Sequence, residues 1–548
     1  MKQITTVAAM ALIMAGSAPA SEQVNQQEDP KRDGKLIIQI TLDQFRSDYL
    51  VRYKQALTKG FRTITEKGVG KVQGYVDHAI TNSHPGHASL ATGAYPRTHG
   101  YSANEWWDYV DGKWRWVDGA IDHKTTIIGN DKRPGYSPFS MRVRSLSDWV
   151  LKADKKAKSI ALSSNETVVS YAGKTGRDAF WYDREEGRFI TSSYFRQDYP
   201  KWVEKFNAES LEDYKAEEWA LSLPDNLQGL ADKDDQSYED FGNHYVFPHR
   251  FADEYNPEHE TRSRQTQLDY WFYEIPMVDL AVLDLAKKAI KAEKLGQRNS
   301  VDYLALSLGS LDNIGHIYGG YSLETLEALY LFDHALAGFI QFLDASIGRD
   351  HYILSLSGDH GAPDPIERTI AKGGEAYRIP QEEIENLLDH IDEIGAAHEG
   401  SQSALVSKIE SALEKEPYIA DAVTEAEVYG LKPSSNPYMD LYRKSWVRGR
   451  VADFPLWTTK PHRDHHPARY GIYVQYKPNT HFGYGMVVHG SPYDYDRLVP
   501  IFFFGGGVVD QKLREARTID VAPTLAKWMA LPYPETVDGK PLFKKESN

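Results

Sequence analysis

Residues 35–50 read KLIIQITLDQFRSDYL, an apolar run from Leu36 to Leu42 that stops at Asp43. A segment apolar on both faces is a strand buried in a parallel sheet, and the aspartate then stands at its C-terminal end. Open α/β sheets place their ligand sites there. The same grammar recurs along the chain. VDLAVLDLAKKAIKAEKL has helical periodicity, VDYLALSLGSLDNIGH is a strand running toward Asp312, TLEALYLFDHALAGFIQFLDASI is a second amphipathic helix, and HYILSLSGDHG is a strand running into Asp359. VPIFFFGGGV adds a further buried strand and TIDVAPTLAKWMAL a closing helix. Helix alternating with strand predicts an α/β fold with a mainly parallel central sheet and helices on both faces.

The chain has 548 residues, 41% of them hydrophobic, enough for a large core. A formal net charge of −15 without a long Lys/Arg run argues against nucleic-acid binding. The N-terminus carries Lys2, an apolar run from Val7 to Ala15, and small residues at Ala18 and Ala20 around Pro19. That order predicts a signal peptide over residues 1–20, cleaved near Ala20, and a periplasmic or secreted protein. No later stretch reads as long and apolar enough to span a membrane, and no obligate protein partner is evident. The absence of cysteine excludes disulfides and lipid attachment through an N-terminal cysteine.

Residues 21–34 read as a spacer and 35–548 as one catalytic domain. Two stretches, about 181–270 and 363–470, lose the strand and helix periods and read as cap insertions over the sheet edge.

Chemistry gathers at the predicted strand ends: Asp43, Asp312 with His316 four residues on, the pair Asp359 and His360, and His489 in MVVHGSPYDYD. Carboxylates and imidazoles without a thiolate suit a borderline divalent cation such as zinc, with three protein ligands per ion leaving positions open for substrate. Six ligands make two sites. Singly, each residue reads equally as a loop hydrogen-bonder or a helix cap; the set carries the argument. In ITNSHPGHASLATGAYPRTHG, residues 80–100, Ser83 stands two residues before Pro85 at a helix start, where free N–H groups favour an anion and a bound metal activates a hydroxyl. An N-cap role is the alternative for Ser83.

From residue 35 onward these motifs resemble the alkaline phosphatase superfamily, in particular the exported zinc-dependent PafA-type phosphatases and the type I phosphodiesterase/nucleotide pyrophosphatases. The resemblance implies two Zn2+, one held by Asp312, His316 and His489, the other by Asp43, Asp359 and His360 with the Ser83 oxygen. It implies Ser83 as nucleophile, where the family usually has Thr, and Asn104 of YSANEWWD as a phosphoryl-oxygen ligand. One departure bears on substrate. The resembling monoesterases carry a Lys and an Arg two residues apart, and here those substrate-binding positions are Ser163 and Asn165. Lys/Arg clamps stabilise the extra charge of a terminal phosphate. Their loss predicts a bias toward phosphodiesters among small-molecule phosphate esters. KPHRDHHP, residues 460–467, offers Lys460, His462, Arg463, His465 and His466 as a replacement clamp or reads as a solvated loop. Alternative functions are a phosphomonoesterase with such a clamp, a sulfatase, disfavoured by His87 at the sulfatase arginine position, and a non-catalytic glycan or lipid binder built on NEWWDYVDGKWRW.

Overall fold

Five parallel strands side by side form the centre of an eight-stranded sheet in the computed structural model. The structure describes residues 35–452, 465–482, 487–508, 513 and 515–543, so the predicted signal peptide and spacer lie outside the described residues. The strands are β1 (Lys35–Leu42), β2 (Val69–Tyr75), β3 (Ser159–Ser163), β4 (Asp178–Asp183), β5 (Arg188–Ile190), β6 (Val301–Leu308), β7 (Tyr352–Gly358) and β8 (Leu498–Gly505). Their order is β2-β8-β7-β1-β6-β3-β4-β5, with β8 antiparallel to β7 and to β2, and β5 antiparallel to β4. The α/β class and the mainly parallel sheet agree with the sequence reading.

Alternation along β1 divides the core. Leu36, Ile38, Ile40 and Leu42 enter one apolar layer. Ile37 enters the opposite layer. Gln39 and Thr41 on that second face are buried but satisfied: Gln39 Nε2 donates to Leu90 O at 2.9 Å, and Thr41 Oγ1 meets Tyr171 OH at 2.6 Å. The first contact pins helix α1 (Ser83–Thr92) to the sheet, and the second pins the short helix Val169–Ala172. The first layer is covered by α2 (Met277–Glu293) and by α4 (Leu323–Ser346), which follows the shorter α3 (Ser310–Tyr318). The second is covered by α1 and α5 (Val521–Trp528).

The expectation that nothing after the leader reaches membrane-spanning length and hydropathy needs correction. Helix α4 passes on length and composition. It is a core helix, with Leu326, Leu329, Leu336, Phe339, Ile340 and Leu343 buried against the sheet. Its buried acids are anchored in this fold too, Glu327 accepting from the Ser222 and Leu223 N–H groups and Asp333 from those of Lys59 and Phe61.

The chain from Asp33 onward is one compact unit. The insertion boundaries shift. Trp181–Asp183 and Arg188–Ile190 are sheet strands, so the first excursion begins after Ile190. The second builds its own apolar core from helices Gln381–Ala396 and Gln402–Leu413 and the paired strands Ile419–Thr424 and Ile472–Tyr476, and that core includes Phe482. A third excursion, two antiparallel hairpins over residues 105–136, has polar and aromatic residues in a weak period-2 pattern. It escaped the sequence reading for that reason.

Candidate active site

Adjacent strands β7, β1 and β6 end together, and each delivers acid at its C-terminal end. Asp43 follows β1, Asp359 follows β7, and Asp312 lies on the first turn of α3 after β6. Asp43 N–H bonds Leu308 O at 2.9 Å, so the ends of β1 and β6 are tied. Asp279 on α2 caps α3 by accepting from Gly309 N, Ser310 N and Ser310 Oγ at 3.1, 3.0 and 2.5 Å. Burial first, against these bonds, pushes the Asp279 carboxyl up to about 6.

On α3, Asp312 and His316 share a face, with His316 Nε2 3.3 Å from Asp312 Oδ1. His489 Nε2 reaches the same oxygen at 3.6 Å. His360 Nε2 lies 3.2 Å from Asp43 Oδ1 and 3.3 Å from Asp359 Oδ2. The structure thus brings together all six residues of the predicted ligand set. The loop of His489 is fixed by Asp496, which accepts from Gly490 N and Ser491 N, and by Val487 N–H donating to His316 O.

All three imidazoles are oriented the same way. His316, His360 and His489 each meet a main-chain carbonyl through Nδ1, those of Val487, Gly361 and Thr81, at 2.5, 3.0 and 2.7 Å. A carbonyl can only accept, so Nδ1 carries a proton in each. Burial holds His360 and His489 neutral, with the Nε2 lone pair facing the carboxylates, while at His316 burial is outweighed by Asp312 beside Nε2, which pushes that imidazole up to about 9. Asp43 Oδ1 and Asp359 Oδ2 are buried without a hydrogen-bond partner. Burial, then the charge of Asp359, raises the Asp43 carboxyl well above its usual range; burial, then Asp312, does the same to Asp359. Buried carboxylates with unmatched oxygens beside preset Nε2 donors fit divalent cations, which remove the repulsion. Two clusters have donor atoms close enough to share an ion: Asp312, His360 and His489, and Asp43, His87 and Asp359.

His87 is a residue the sequence reading weighed only against the sulfatase pattern. It is fully buried, with Nδ1 2.8 Å from Ser83 O and 3.0 Å from Asp359 Oδ2, and Nε2 2.8 Å from Ser307 Oγ. Both nitrogens serve protein groups, so it braces Ser83 and Asp359 from behind. Its place one helical turn after Ser83 was the signal available in the sequence.

Ser83 is the first residue of α1, after Asn82 as N-cap, and its Oγ lies 3.4 Å from His360 Nε2. Thr81 points elsewhere, its hydroxyl donating to Ser491 O at 3.0 Å. Close approach of α1 requires Gly86: a Cβ there would stand 2.7 Å from Asp359 O. Asn104 Oδ1 accepts from His84 N–H at 2.9 Å, which leaves its Nδ2 as the donor end.

Ser163 and Asn165 are placed differently from the sequence reading. Ser163 is fully buried, and its Oγ accepts from Asn165 N–H at 3.0 Å. Asn165 Oδ1 caps the short turn Glu166–Val168 through Thr167 N–H at 3.2 Å. The Ser163 hydroxyl is therefore consumed inside the fold instead of contacting substrate. Lys460, His462 and Arg463 lie outside the described residues. His465 bonds Asp392 and Tyr470 within the cap, and the His466 ring stands 6.3 Å from that of Trp107 on the hairpin excursion.

Comparison with known proteins agrees with this geometry. Residues 37–453 match the family model of type I phosphodiesterase / nucleotide pyrophosphatase. The chain is 27% identical to a protein named calcium-transporting ATPase from Myroides odoratus, over 98% of each chain. It is also 27% identical to alkaline phosphatase PhoV of Synechococcus elongatus, over 92% of each. The crystal structure of wild-type alkaline phosphatase PafA superposes with a TM-score of 0.79 at 22% identity, covering 93% of this chain and 98% of that one. With the strand-end acids, the three oriented histidines and a family match across most of its length, the chain belongs to the type I phosphodiesterase/nucleotide pyrophosphatase family of the alkaline phosphatase superfamily, phosphoester hydrolases of the alkaline phosphatase and phosphodiesterase type.

Proposed function

We propose that this protein is an exported phosphoester hydrolase that holds two zinc ions, turns over through a covalent phosphoserine at Ser83, and favours phosphodiesters. The observation that carries the reading is Ser83 Oγ at a helix N-terminus, 3.4 Å from His360 Nε2 and within the six-residue donor set. Asp312, His316 and His489 would hold one ion, and Asp43, Asp359 and His360 the other. When bound, the ions supply positive charge that lowers the pKa of the Ser83 hydroxyl and offsets negative charge on the phosphoryl and leaving oxygens.

Ser83 Oγ loses its proton and attacks phosphorus in line, the bond to the leaving oxygen breaks, that oxygen takes up a proton and departs as the alcohol, and the phosphoryl group rests on Ser83. Water then attacks phosphorus, its oxygen leaving with the product, a phosphate monoester from a diester substrate, and its proton restoring the Ser83 hydroxyl. The Ser83 N–H and the Nδ2 amide of Asn104 donate to phosphoryl oxygens; the other early positions of α1 are committed, since Pro85 has no N–H and Gly86 N–H bonds Asn82 O. His84 N–H is already committed to Asn104 Oδ1, and that bond sets the amide orientation. His87 holds the Ser83 carbonyl and so the start of the helix.

Diester preference rests on Ser163 and Asn165, which bring no cation to positions where the resembling monoesterases have two. The name alkaline phosphatase on PhoV and PafA favours a second reading, monoester hydrolysis with cations from elsewhere. A matched pair decides. kcat/KM is measured for an aryl phosphate and for its methyl diester with the same leaving group. We expect the diester to be preferred, because each missing donor costs about 2.7–4 kcal/mol of transition-state stabilisation. A preference for the monoester overturns the diester assignment and leaves the hydrolase.

A further inference from the structure

Gln44, directly after Asp43, has a left-handed backbone with φ 58° and is buried. Residues other than Gly, Asn and Asp rarely adopt this conformation, and where they do the strain marks a constraint imposed by the surroundings. Glycine would take the turn freely; the side chain present must therefore have a use. Its Nε2 donates to Asp312 Oδ1 at 2.6 Å, while its main-chain N–H donates to Asp359 Oδ1 at 3.2 Å. A carboxylate can only accept, which assigns the amide end facing Asp312 as Nε2. One residue thus grips a carboxylate of each half of the donor set, from the strand between them.

The seat for this carboxamide is Gly315, immediately before His316 on α3. A Cβ at Gly315 would stand 1.9 Å from Gln44 Oε1, so any larger residue there expels the side chain from its bond to Asp312. Gln44 Oε1 itself is buried with no hydrogen-bond partner. The carboxamide therefore keeps a place that costs it one acceptor bond, and its bond to Asp312 is what it gains there.

We propose that Gln44 is a positioning residue that couples the two metal half-sites. Its N–H orders Asp359 and its carboxamide orders Asp312, so that filling one half-site presets the other. Groups that orient metal ligands in this way commonly change metal affinity by about 10–100-fold when removed. The inference rests on the two-zinc reading above, and the experiment separates the two.

Metal-free wild-type protein, Gln44→Asn, Gln44→Ala, Gly315→Ala and the double variant Gln44→Ala/Gly315→Ala are titrated with zinc against a competing chromophoric chelator. Melting temperatures of the metal-free forms are recorded alongside. Asn tolerates the left-handed backbone but is one methylene too short to reach Asp312. Wild type should take up two equivalents in one coupled step. Gln44→Asn should still take up two, in two steps separated by about 10–100-fold, with the metal-free melting temperature unchanged. Gly315→Ala should lose stability, and the double variant should recover it without recovering the single step. Two equivalents in Gln44→Asn with the wild-type pattern overturn the coupling role. Fewer than two equivalents in wild type overturn the two-zinc reading, and the inference falls with it.

Discussion

His360 and His489 stack with ring centroids 3.7 Å apart and planes at 22°, although one follows β7 and the other belongs to the loop before β8. Stacked neutral imidazoles with Nδ1 bonded to carbonyls present their Nε2 atoms side by side, one toward Asp43 and Asp359, the other toward Asp312. The two half-sites are contiguous through these rings. His489→Ala should therefore lower zinc content from two equivalents per chain to about one and reduce turnover by orders of magnitude. Elemental analysis of purified variant and wild type reads this directly. Unchanged metal content would remove His489 from the ligand set.

Ser83→Ala should lower kcat on the order of 10³-fold or more while sparing the fold, because the hydroxyl alone is lost from a helix whose N-cap is Asn82. Ser83→Thr should keep substantial activity. Acid quench of the working enzyme followed by peptide mass spectrometry should find phosphate on Ser83. Phosphate on Thr81 would contradict the hydrogen bond that turns the Thr81 hydroxyl toward Ser491.

Gly86→Ala tests the close approach of α1 to β7. The added methyl would meet Asp359 O at 2.7 Å and Asp359 Cβ at 2.9 Å, and backbone cannot swing aside as a side chain does. We expect a loss of about 1–3 kcal/mol in stability, with a larger proportional loss of activity as Ser83 moves off the donor set. Urea unfolding together with kcat measures both. Wild-type values in each would show that α1 shifts without cost.

Outside the site, Glu239 predicts a pH effect on stability. It is buried, its Oε2 has no partner, and burial first, then the charges of Glu324 and Asp234, push its carboxyl from 4.5 up to about 10. The folded chain then keeps a proton that the unfolded chain has released between pH 4.5 and 10, so Glu239's own contribution to stability is greatest below pH 4.5 and falls as pH rises toward 10. Glu239→Gln removes that loss. Its stabilising effect should be about 1–3 kcal/mol at pH 8 and much smaller at pH 5, read from denaturant midpoints at both pH values. An effect equal at both would show that Glu239 is ionised in the fold.

Sequence alone determined the fold class and singled out the side chains that the fold gathers at the strand ends. Both rest on local patterns: β1, β6 and β7 are runs buried on both faces and bounded by acids, and the spacing of Asp312 and His316 is a helical one that needs no tertiary information. Motif order pointed to Ser83, Asn104 and the remaining acids and histidines of the predicted set. The tertiary structure decided how these parts act together. That β1 lies between β6 and β7 depends on sheet order, so Gln44 gripping both Asp312 and Asp359 was invisible along the chain. Asp279 caps α3 from α2, and the histidine tautomers follow from the carbonyls of Thr81, Gly361 and Val487, two of them remote in sequence. Ser163 looked like a substrate contact because the position was legible while its burial was not. Periodicity records which residues avoid water, but the partner of a buried polar group is set by packing between elements distant in sequence, and at this site those partners fix the geometry.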